Sequence, residues 1–484
     1  MTEVKLYEHP CYTEYKNKWE MYEDFYEGDH DDLVQTKYLI PHELESIPGK
    51  ADSARIRKIR EDRTEVENET EPVVSRFTSL FLKKEPAYDN KITGLFTEQG
   101  IKDVTGKGKS LTSFIREDIV ESVIVYGKVV VLTDAYTITA GSKAEEQARG
   151  LTPTLEVLPV LDVKDWQYDD APERKGKLKF LRYEYELIEP RQNATEEPVT
   201  GLYSKEYNFE VIPGAELGRL TVVTYKQSKK TGGESQWVQI SAQEKLAPDM
   251  PIKMIEGESW IKDVVPLCKK LLNLISSRDN IHLYQAHQQK YIIGNINEGA
   301  KKAVAEYTIG FLPEGSSITV IEPVNTASID ANIANTRASI PRIAFNQNRT
   351  PSSDTKAVES VDTQQEGKEQ LITLIKSEIE SIENLINAVI KDYAYFKTSK
   401  TDFDGKLILS KEIKIEDLDR EVRIYTALRD DVAKYPKWHK ETLKKFVNSQ
   451  ELDNTVDIIE EIDKGPQLVN TLDARARLLG AING

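Results

Sequence analysis

The sequence predicts an α+β fold, with helices towards both ends of the chain and antiparallel strands between them. Three observations lead to this class. Residues 12–126 carry apolar side chains mostly at helical spacing, residues 155–254 alternate or are rich in β-branched and aromatic side chains, and residues 264–397 return to helical spacing. A change from period 3.6 to period 2 and back is typical of α+β proteins.

Composition narrows the function before any motif is considered. The 484 residues are enough for two to four modules, and 39% of them are hydrophobic, which allows a sizeable core. The net charge of -16 argues against a protein that wraps nucleic acid by attraction to phosphate. It favours either simple solubility or a repulsive wall along which a polyanion can slide.

The chain contains two cysteines, Cys11 and Cys268, which are too few for a disulfide framework or a Cys-rich zinc module. We find no signal peptide and no apolar run of the roughly 18 residues that a membrane span needs. The sequence therefore predicts a soluble protein of a reducing cytoplasm that does not enter a membrane.

The first helix is predicted over residues 12–27, where Tyr15, Trp19, Tyr22 and Tyr26 share a face and Gly28 follows as a stop signal. A charged helical pattern covers residues 51–68. Pro72 opens the next helix, whose apolar residues are Val73, Val74, Phe77, Leu80 and Phe81.

Residues 110–126 form the clearest helical pattern of the first half. Ser110 can cap this helix and Gly127 can end it. A short buried strand, residues 129–132, follows at once. Further strands are predicted at residues 155–158, 163–168, 178–188, 220–225 and 237–240, with a hairpin turn at residues 229–233.

The second half begins with a predicted helix at residues 264–289. Two short strands, 291–294 and 318–321, then enclose a small helix at 298–307, and residues 328–345 are helical again. The polar segment 346–355 interrupts this pattern before a long helix to about residue 396. That helix carries apolar residues at alternating spacings of four and three: Ile375, Ile379, Ile382, Ile386, Val389 and Tyr393.

Catalytic motifs are weak. Residues 106–110, GKGKS, lack the first glycine of a phosphate-binding loop, because Asp103 stands in its place; we expect a loop that leads into a helix cap. His282 and His287 are five apart, which is not the spacing of a zinc protease. Residues 29–32 are expected to be a solvated loop, and Cys268 a small core residue. No catalytic constellation emerges, and no metal or cofactor is predicted.

Several segments, taken in order, carry a resemblance. They are RIRKIREDR at residues 55–63, VVSRFTSLFLKKEP at 73–86, IVESVIVYGKVVVLTD at 119–134, and the central order helix, αβ insert, helix, polar loop, long helix. The tail segments 413–419, 422–431 and 438–446 continue it. Over nearly its whole length the chain resembles a tailed-bacteriophage portal (head-to-tail connector) protein, nearest to a podophage-type subfamily. No short invariant motif anchors the resemblance, which rests on order and spacing.

The resemblance implies a portal fold with an α/β wing, a helical stem, a small αβ clip, a long wing helix and a short helical crown. The implied regions are a wing (1–257), a first stem helix (258–290), a clip (291–325), a second stem helix (326–345), a tunnel loop (346–356), a wing helix (357–398) and a C-terminal wing and crown (399–484). The implied tunnel-loop residues are Asn346, Gln347, Asn348, Arg349, Thr350, Ser352, Ser353 and Lys356. The implied clip residues are Asn297, Glu298, Lys301, Lys302, Glu306 and Glu314.

The resemblance also implies a function. A homo-oligomeric ring, usually a dodecamer, would assemble in the bacterial cytoplasm and occupy one vertex of the capsid in the virion. Double-stranded DNA would pass through its channel, and its partners would be the major capsid protein, the terminase large subunit and the head–tail adaptor. ATP hydrolysis would belong to the terminase, so the chain itself is not expected to be an enzyme.

One structural question and two rival functions stay open at this point. The stripe from Ile375 to Tyr393 could form the interface between subunits or the core of one subunit, and we favour the core. The chain could instead be an oligomeric helical scaffold without DNA. It could also be a nucleotide-dependent enzyme that uses Lys107 or Lys109 on phosphate.

Overall fold

The computed structural model describes residues 3–41, 45, 51–96, 102–134, 153–189, 199–229, 235–286, 290–293, 317–320, 325–345 and 361–413. The chain divides into two compact units. The larger comprises residues Met1–Ala344 and Thr373–Glu412, and the smaller comprises Phe345–Ile372 and Ile413–Gly484. Within the smaller unit the structure describes only Phe345, residues 361–372 and Ile413.

The described residues are mixed α and β, as the sequence predicts. The helices are α1 Pro10–Glu27, α2 His30–Asp32, α3 Ala51–Glu61, α4 Thr70–Phe81, α5 Asn90–Leu95, α6 Leu111–Ser113, α7 Glu121–Tyr126, α8 Val265–Ala286, α9 Ala327–Phe345 and α10 Val361–Thr398. Two π-helical turns, Leu33–Lys37 and Phe114–Val120, follow α2 and α6.

The strands lie mainly between α7 and α8. They are β1 Glu3–Val4, β2 Ala87–Tyr88, β3 Lys128–Asp134, β4 Thr154–Leu158, β5 Val163–Tyr168, β6 Leu178–Ile188, β7 Thr200–Glu210, β8 Gly218–Lys229, β9 Ser235–Ala247, β10 Ile252–Glu256, β11 Lys290–Ile293, β12 Ser317–Val320 and β13 Leu407–Ile408.

The paired strands of the described residues are antiparallel, as predicted, and β5 to β9 form a meander. Six of them pair in the order β1-β9-β8-β7-β6-β5, and β3 lies between β10 and β4 in a second sheet. Residues Val129, Val130, Val131 and Leu132 are each at most 1% exposed. Because successive side chains point to opposite faces, both faces of β3 are covered, and this strand belongs to the core.

Helix α1 has the predicted position but presents a different face to the core. Its buried residues are Tyr12, Trp19, Tyr22 and Phe25, whereas Tyr15 is 41% exposed. The predicted face was therefore partly wrong. The stop at Gly28 is confirmed, because this residue has φ +69° and its amide donates to the Asp24 carbonyl.

Helix α3 ends at Glu61, earlier than the predicted residue 68. The backbone N–H of Thr64 donates to the Arg60 carbonyl at 2.9 Å, and the Thr64 hydroxyl lies 2.8 Å from the same oxygen. Asn68 Oδ1 then accepts from the backbone N–H groups of Thr70 and Glu71 and so caps α4. Residues 62–69 therefore link the two helices.

The prediction of a loop at residues 29–32 is wrong, because His30–Asp32 form a short helix. Asp29 Oδ1 accepts from the Asp31 amide at 2.8 Å and begins α2, although the side chains here are exposed as expected. The predicted helix 110–126 is confirmed as one continuous helical segment with a π turn in its middle. The Ser110 cap, the stop at Gly127 and the helix predicted after Pro72 are confirmed too.

Candidate functional site

The predicted central order is present among the described elements. Helix α8 precedes a pair of short antiparallel strands, β11 and β12, in which Lys290 lies opposite Val320. Helix α9 follows, and the long helix α10 begins at Val361. This is the succession of helix, insert, helix and long helix that the sequence indicates.

Both sets of predicted site residues lie outside the described residues. This holds for the clip residues Asn297, Glu298, Lys301, Lys302, Glu306 and Glu314, and for every tunnel-loop residue from Asn346 to Lys356. The structure brings none of them together and separates none of them. The structure describes the helices that flank these segments, α8, α9 and α10, and the contacts that hold them.

Helix α8 is anchored along one side by buried and polar contacts. Cys268, predicted to be a core residue, is 4% exposed, and Leu271 and Ile275 are buried with it. The Asn273 side chain donates to the Tyr38 carbonyl at 3.0 Å, and its oxygen accepts from the Ile40 amide at 2.8 Å. The same helix carries an exposed His282, as predicted. One face of α8 therefore belongs to the core.

A buried guanidinium fixes α8 to α3. The side chain of Arg60 is 3% exposed and pairs with Glu45 at 2.7 Å, and its terminal nitrogens donate to the Ile40 carbonyl and to Ser276 Oγ. Burial lowers the pKa of Arg60, while Glu45 opposes this effect. A buried charge of this kind persists only when it is paired and hydrogen-bonded. The Arg60 network therefore holds α8 firmly.

Helix α9 is held by a more accessible contact. Arg337 Nε donates to Glu67 Oε2 at 2.9 Å, and a second guanidinium nitrogen donates to the other carboxylate oxygen. The two side chains are 31% and 28% exposed. Pro341 stands inside the helix and has no N–H to offer to the Arg337 carbonyl one turn earlier. Ile333 and Ile340 provide the buried face of α9.

Helix α10 buries its apolar stripe within the single chain. All six residues are at most 2% exposed: Ile375, Ile379, Ile382, Ile386, Val389 and Tyr393. Of the two interpretations left open by the sequence, the structure supports packing inside the subunit. At ~1.5 Å per residue, the 38 residues of α10 span about 57 Å.

An ion cluster lies beneath the last turns of α10. Asp392 Oδ2 is 3.0 Å from Lys253 Nζ on β10, and Lys253 also lies 3.2 Å from Asp249. Arg174 pairs with the same Asp249 at 2.6 Å, and Lys177 approaches it at 3.7 Å. The cluster joins α10 to β10 and to the loop between β5 and β6.

Burial governs the protonation of this cluster. Burial raises the pKa of Asp392 to about 6, although Lys253 opposes the effect. Burial would lower the pKa of Lys253, but Asp392 and Asp249 outweigh it and raise that pKa. Within the described chain, Oδ2 of Asp392 accepts no hydrogen bond of good geometry, so the carboxylate is poorly compensated.

A further buried cation, Lys128, lies at the start of β3. Lys128 Nζ is 3.1 Å from the ring centre of Trp166 and 3.0 Å from Glu256 Oε1, and Trp19 is 5.4 Å away. Burial lowers the pKa of Lys128 to about 8. Two aromatic rings and a carboxylate surround the ammonium group and stabilise its charge. Lys128 is therefore a structural residue of the core.

The loop at residues 106–110 is confirmed as a lead into a helix cap. Ser110 Oγ accepts from the Ser113 amide at 3.1 Å. Lys109 forms ion pairs of 3.0 Å with both Glu117 and Asp118. Partial burial lowers the pKa of Lys109, but its hydrogen bonds to these carboxylates outweigh this and raise it. Lys109 is thus engaged by acidic groups, an arrangement that disfavours phosphate binding.

No group of three or more His, Cys, Asp or Glu side chains in the described ranges is arranged to hold a metal ion. None of the helices described there is both long and apolar enough to cross a membrane. Comparison with known protein families finds no family model that matches the chain. Comparison with curated proteins finds no match either.

Proposed function

We propose that the chain is a portal protein of a tailed bacteriophage, which forms a ring at one capsid vertex. The observation that carries the proposal is the order of elements after β10: α8, the β11–β12 pair, α9 and the long α10. In the portal family this order corresponds to stem helix, clip, stem helix and wing helix. The order of elements predicted from the sequence agrees with the order of the described elements, and this agreement supports the proposal.

The way α8 and α10 are held is consistent with a mechanical role. Helix α8 is fixed by the Arg60 network, and α10 buries its entire apolar stripe in its own subunit. Helices fixed in this way leave their other faces and the segments between them for contacts with neighbours. In the proposed ring each subunit would meet its neighbours through two different surfaces, which is the general condition for cyclic closure.

Charge supports a channel rather than a nucleic-acid clamp. Each chain has a net charge of -16, and a ring multiplies that charge. A channel lined mostly by carboxylates repels DNA and keeps it from adhering, while a few basic rings give weak, evenly spaced phosphate contacts. We propose Arg349 and Lys356 for such contacts in the tunnel loop, and Lys301 or Lys302 in the clip.

The clip, residues 291–325, is the proposed docking surface for the terminase large subunit and later for the head–tail adaptor. Two partners that bind one surface in succession require modest, exchangeable contacts rather than a large apolar interface. The ring would be part of the virion, in contact with the major capsid protein. The proposed role is structural, and packaging energy would come from the terminase.

The mass of the purified protein tests the proposal. Twelve copies of the 55.0 kDa chain weigh about 660 kDa, a size that mass photometry separates clearly from small oligomers. We expect one discrete ring-sized species that persists on dilution. A protein that stays at the mass of one or two chains under all conditions of salt and concentration would contradict the proposal.

A further inference from the structure

The link between α3 and α4 contacts both α8 and α9. Residues 64–67 of this link, here called the strap, begin at Thr64 and end at Glu67. Thr64 contacts Ser276 on α8, whereas Glu67 contacts Arg337 on α9. One short segment therefore connects the two helices that precede and follow the β11–β12 pair.

The end of the strap on α8 is buried. Thr64 is 2% exposed, and its hydroxyl lies 2.9 Å from the hydroxyl of Ser276, which is fully buried. The Arg60 side chain reaches the same Ser276 hydroxyl at 3.3 Å. Contacts removed from water in this way are little affected by salt, and they are costly to break.

Contacts with α1 and α2 also hold the strap and the residue that follows it. The His30 ring nitrogen Nε2 lies 3.0 Å from the Thr64 carbonyl, and the side-chain nitrogen of Asn68, directly after the strap, donates to the Tyr26 carbonyl at 2.9 Å. A Cβ atom at Gly28 would lie 2.4 Å from the same Asn68 side-chain nitrogen, so the turn after α1 packs against the residue that follows the strap. These contacts fix the strap relative to α1 whatever α9 does.

The end of the strap on α9 differs in its access to water. The Glu67–Arg337 pair is a two-pronged ion pair, yet each side chain is close to 30% exposed. Water and salt screen an ion pair at this exposure far more than a buried one. The Glu67–Arg337 ion pair therefore has favourable two-pronged geometry, but salt or a competing charge can break it.

We propose that the strap is an asymmetric latch, with a permanent end on α8 and a releasable end on α9. Release frees α9 from the strap while α8 stays attached to it. The latch goes beyond the portal proposal, because it concerns the single chain whatever assembly that chain enters. Because Ile333 and Ile340 stay buried, release loosens α9 without detaching it from the rest of the chain.

Hydrogen–deuterium exchange on the full-length protein tests the latch. In the Glu67→Gln variant we expect exchange to rise about two- to fivefold in α9 and to stay unchanged in α8. Raising NaCl from about 0.05 to about 1 M should act in the same way on the wild type and add little in the variant. Arg337→Lys keeps the charge but loses the two-pronged geometry, so it should give a smaller rise confined to α9.

The matched control is Lys91→Gln, which removes the exposed ion pair with Asp404. It should leave exchange in both helices unchanged. The latch is overturned if Glu67→Gln raises exchange equally in α8 and α9, or in neither. It is also overturned if salt raises α9 exchange as much in Glu67→Gln as in the wild type. If Glu67→Gln does not fold, Arg337→Lys tests the latch instead. A rise in exchange confined to α9 supports the latch, and an equal rise in α8 and α9 overturns it.

Discussion

Replacing Asp392 with Asn should stabilise the protein at neutral pH, although the substitution removes an ion pair. Asp392 is 6% exposed, and Lys253 beside it keeps a second carboxylate partner, Asp249, at 3.2 Å. An Asn side chain has the shape of a protonated Asp and carries no charge. The variant therefore avoids the cost of burying a second carboxylate beside Lys253 and leaves the Lys253–Asp249 pair in place.

The magnitude follows from the pKa of Asp392. Burial raises it from 3.8 to about 6, and each pKa unit corresponds to ~1.4 kcal/mol, so holding the carboxylate charged at pH 7.5 costs up to about 3 kcal/mol. The native state binds this proton more tightly than the unfolded state. The contribution of Asp392 to the free energy of unfolding should therefore become more favourable as pH falls through about 6, and level off below about pH 4.

Thermal unfolding at pH 4.5, 6.0 and 7.5 measures the effect. We expect the Asp392→Asn variant to melt several degrees above the wild type at pH 7.5 and the difference to close by pH 4.5. The control is Asp404→Asn, in an exposed ion pair whose partner Lys91 lowers the pKa of Asp404. This control should give no gain at any pH. An Asp392→Asn variant that melts below the wild type at pH 7.5 would refute the reasoning.

Three further predictions follow from the fold and the proposed function. Gly127→Ala should destabilise the protein by about 2–4 kcal/mol, because φ is +68° and the new Cβ would lie 2.4 Å from the carbonyl carbon of Glu258; the denaturation midpoint measures this. Arg349→Glu should change the DNA content of packaged particles while assembly stays normal, and unchanged DNA content would remove Arg349 from the channel. Deleting residues 298–309 should leave the assembly intact but abolish adaptor binding in a pull-down, and retained binding would show that the clip is misassigned.

Periodicity predicted the elements best where one face of an element is buried. The stripe on α10 was visible in the sequence because burial of one face selects apolar residues at a fixed spacing, and β3 was visible as a continuous apolar run because both its faces are buried. The ends of elements were less predictable. Helix α3 ends at Glu61, seven residues before the predicted end, and the charged pattern of residues 62–68 does not indicate this stop.

The ion cluster beneath α10 had only a faint signal in the sequence. Asp392 lies between Val389 and Tyr393 on the buried side of the helix, which marks a charge in an apolar stripe. Its partner Lys253 is far away in sequence, and only the fold brings β10 against α10. The same holds for Glu67 and Arg337. Long-range polar contacts depend on tertiary packing, which periodicity does not encode.

Electron microscopy of the purified full-length protein tests the central claim most directly. The portal proposal predicts closed rings in negative stain, with a fixed copy number and an open channel on the rotation axis. Class averages along that axis would give both the symmetry and the channel. Single chains, open filaments or compact bundles without a channel would contradict the proposal.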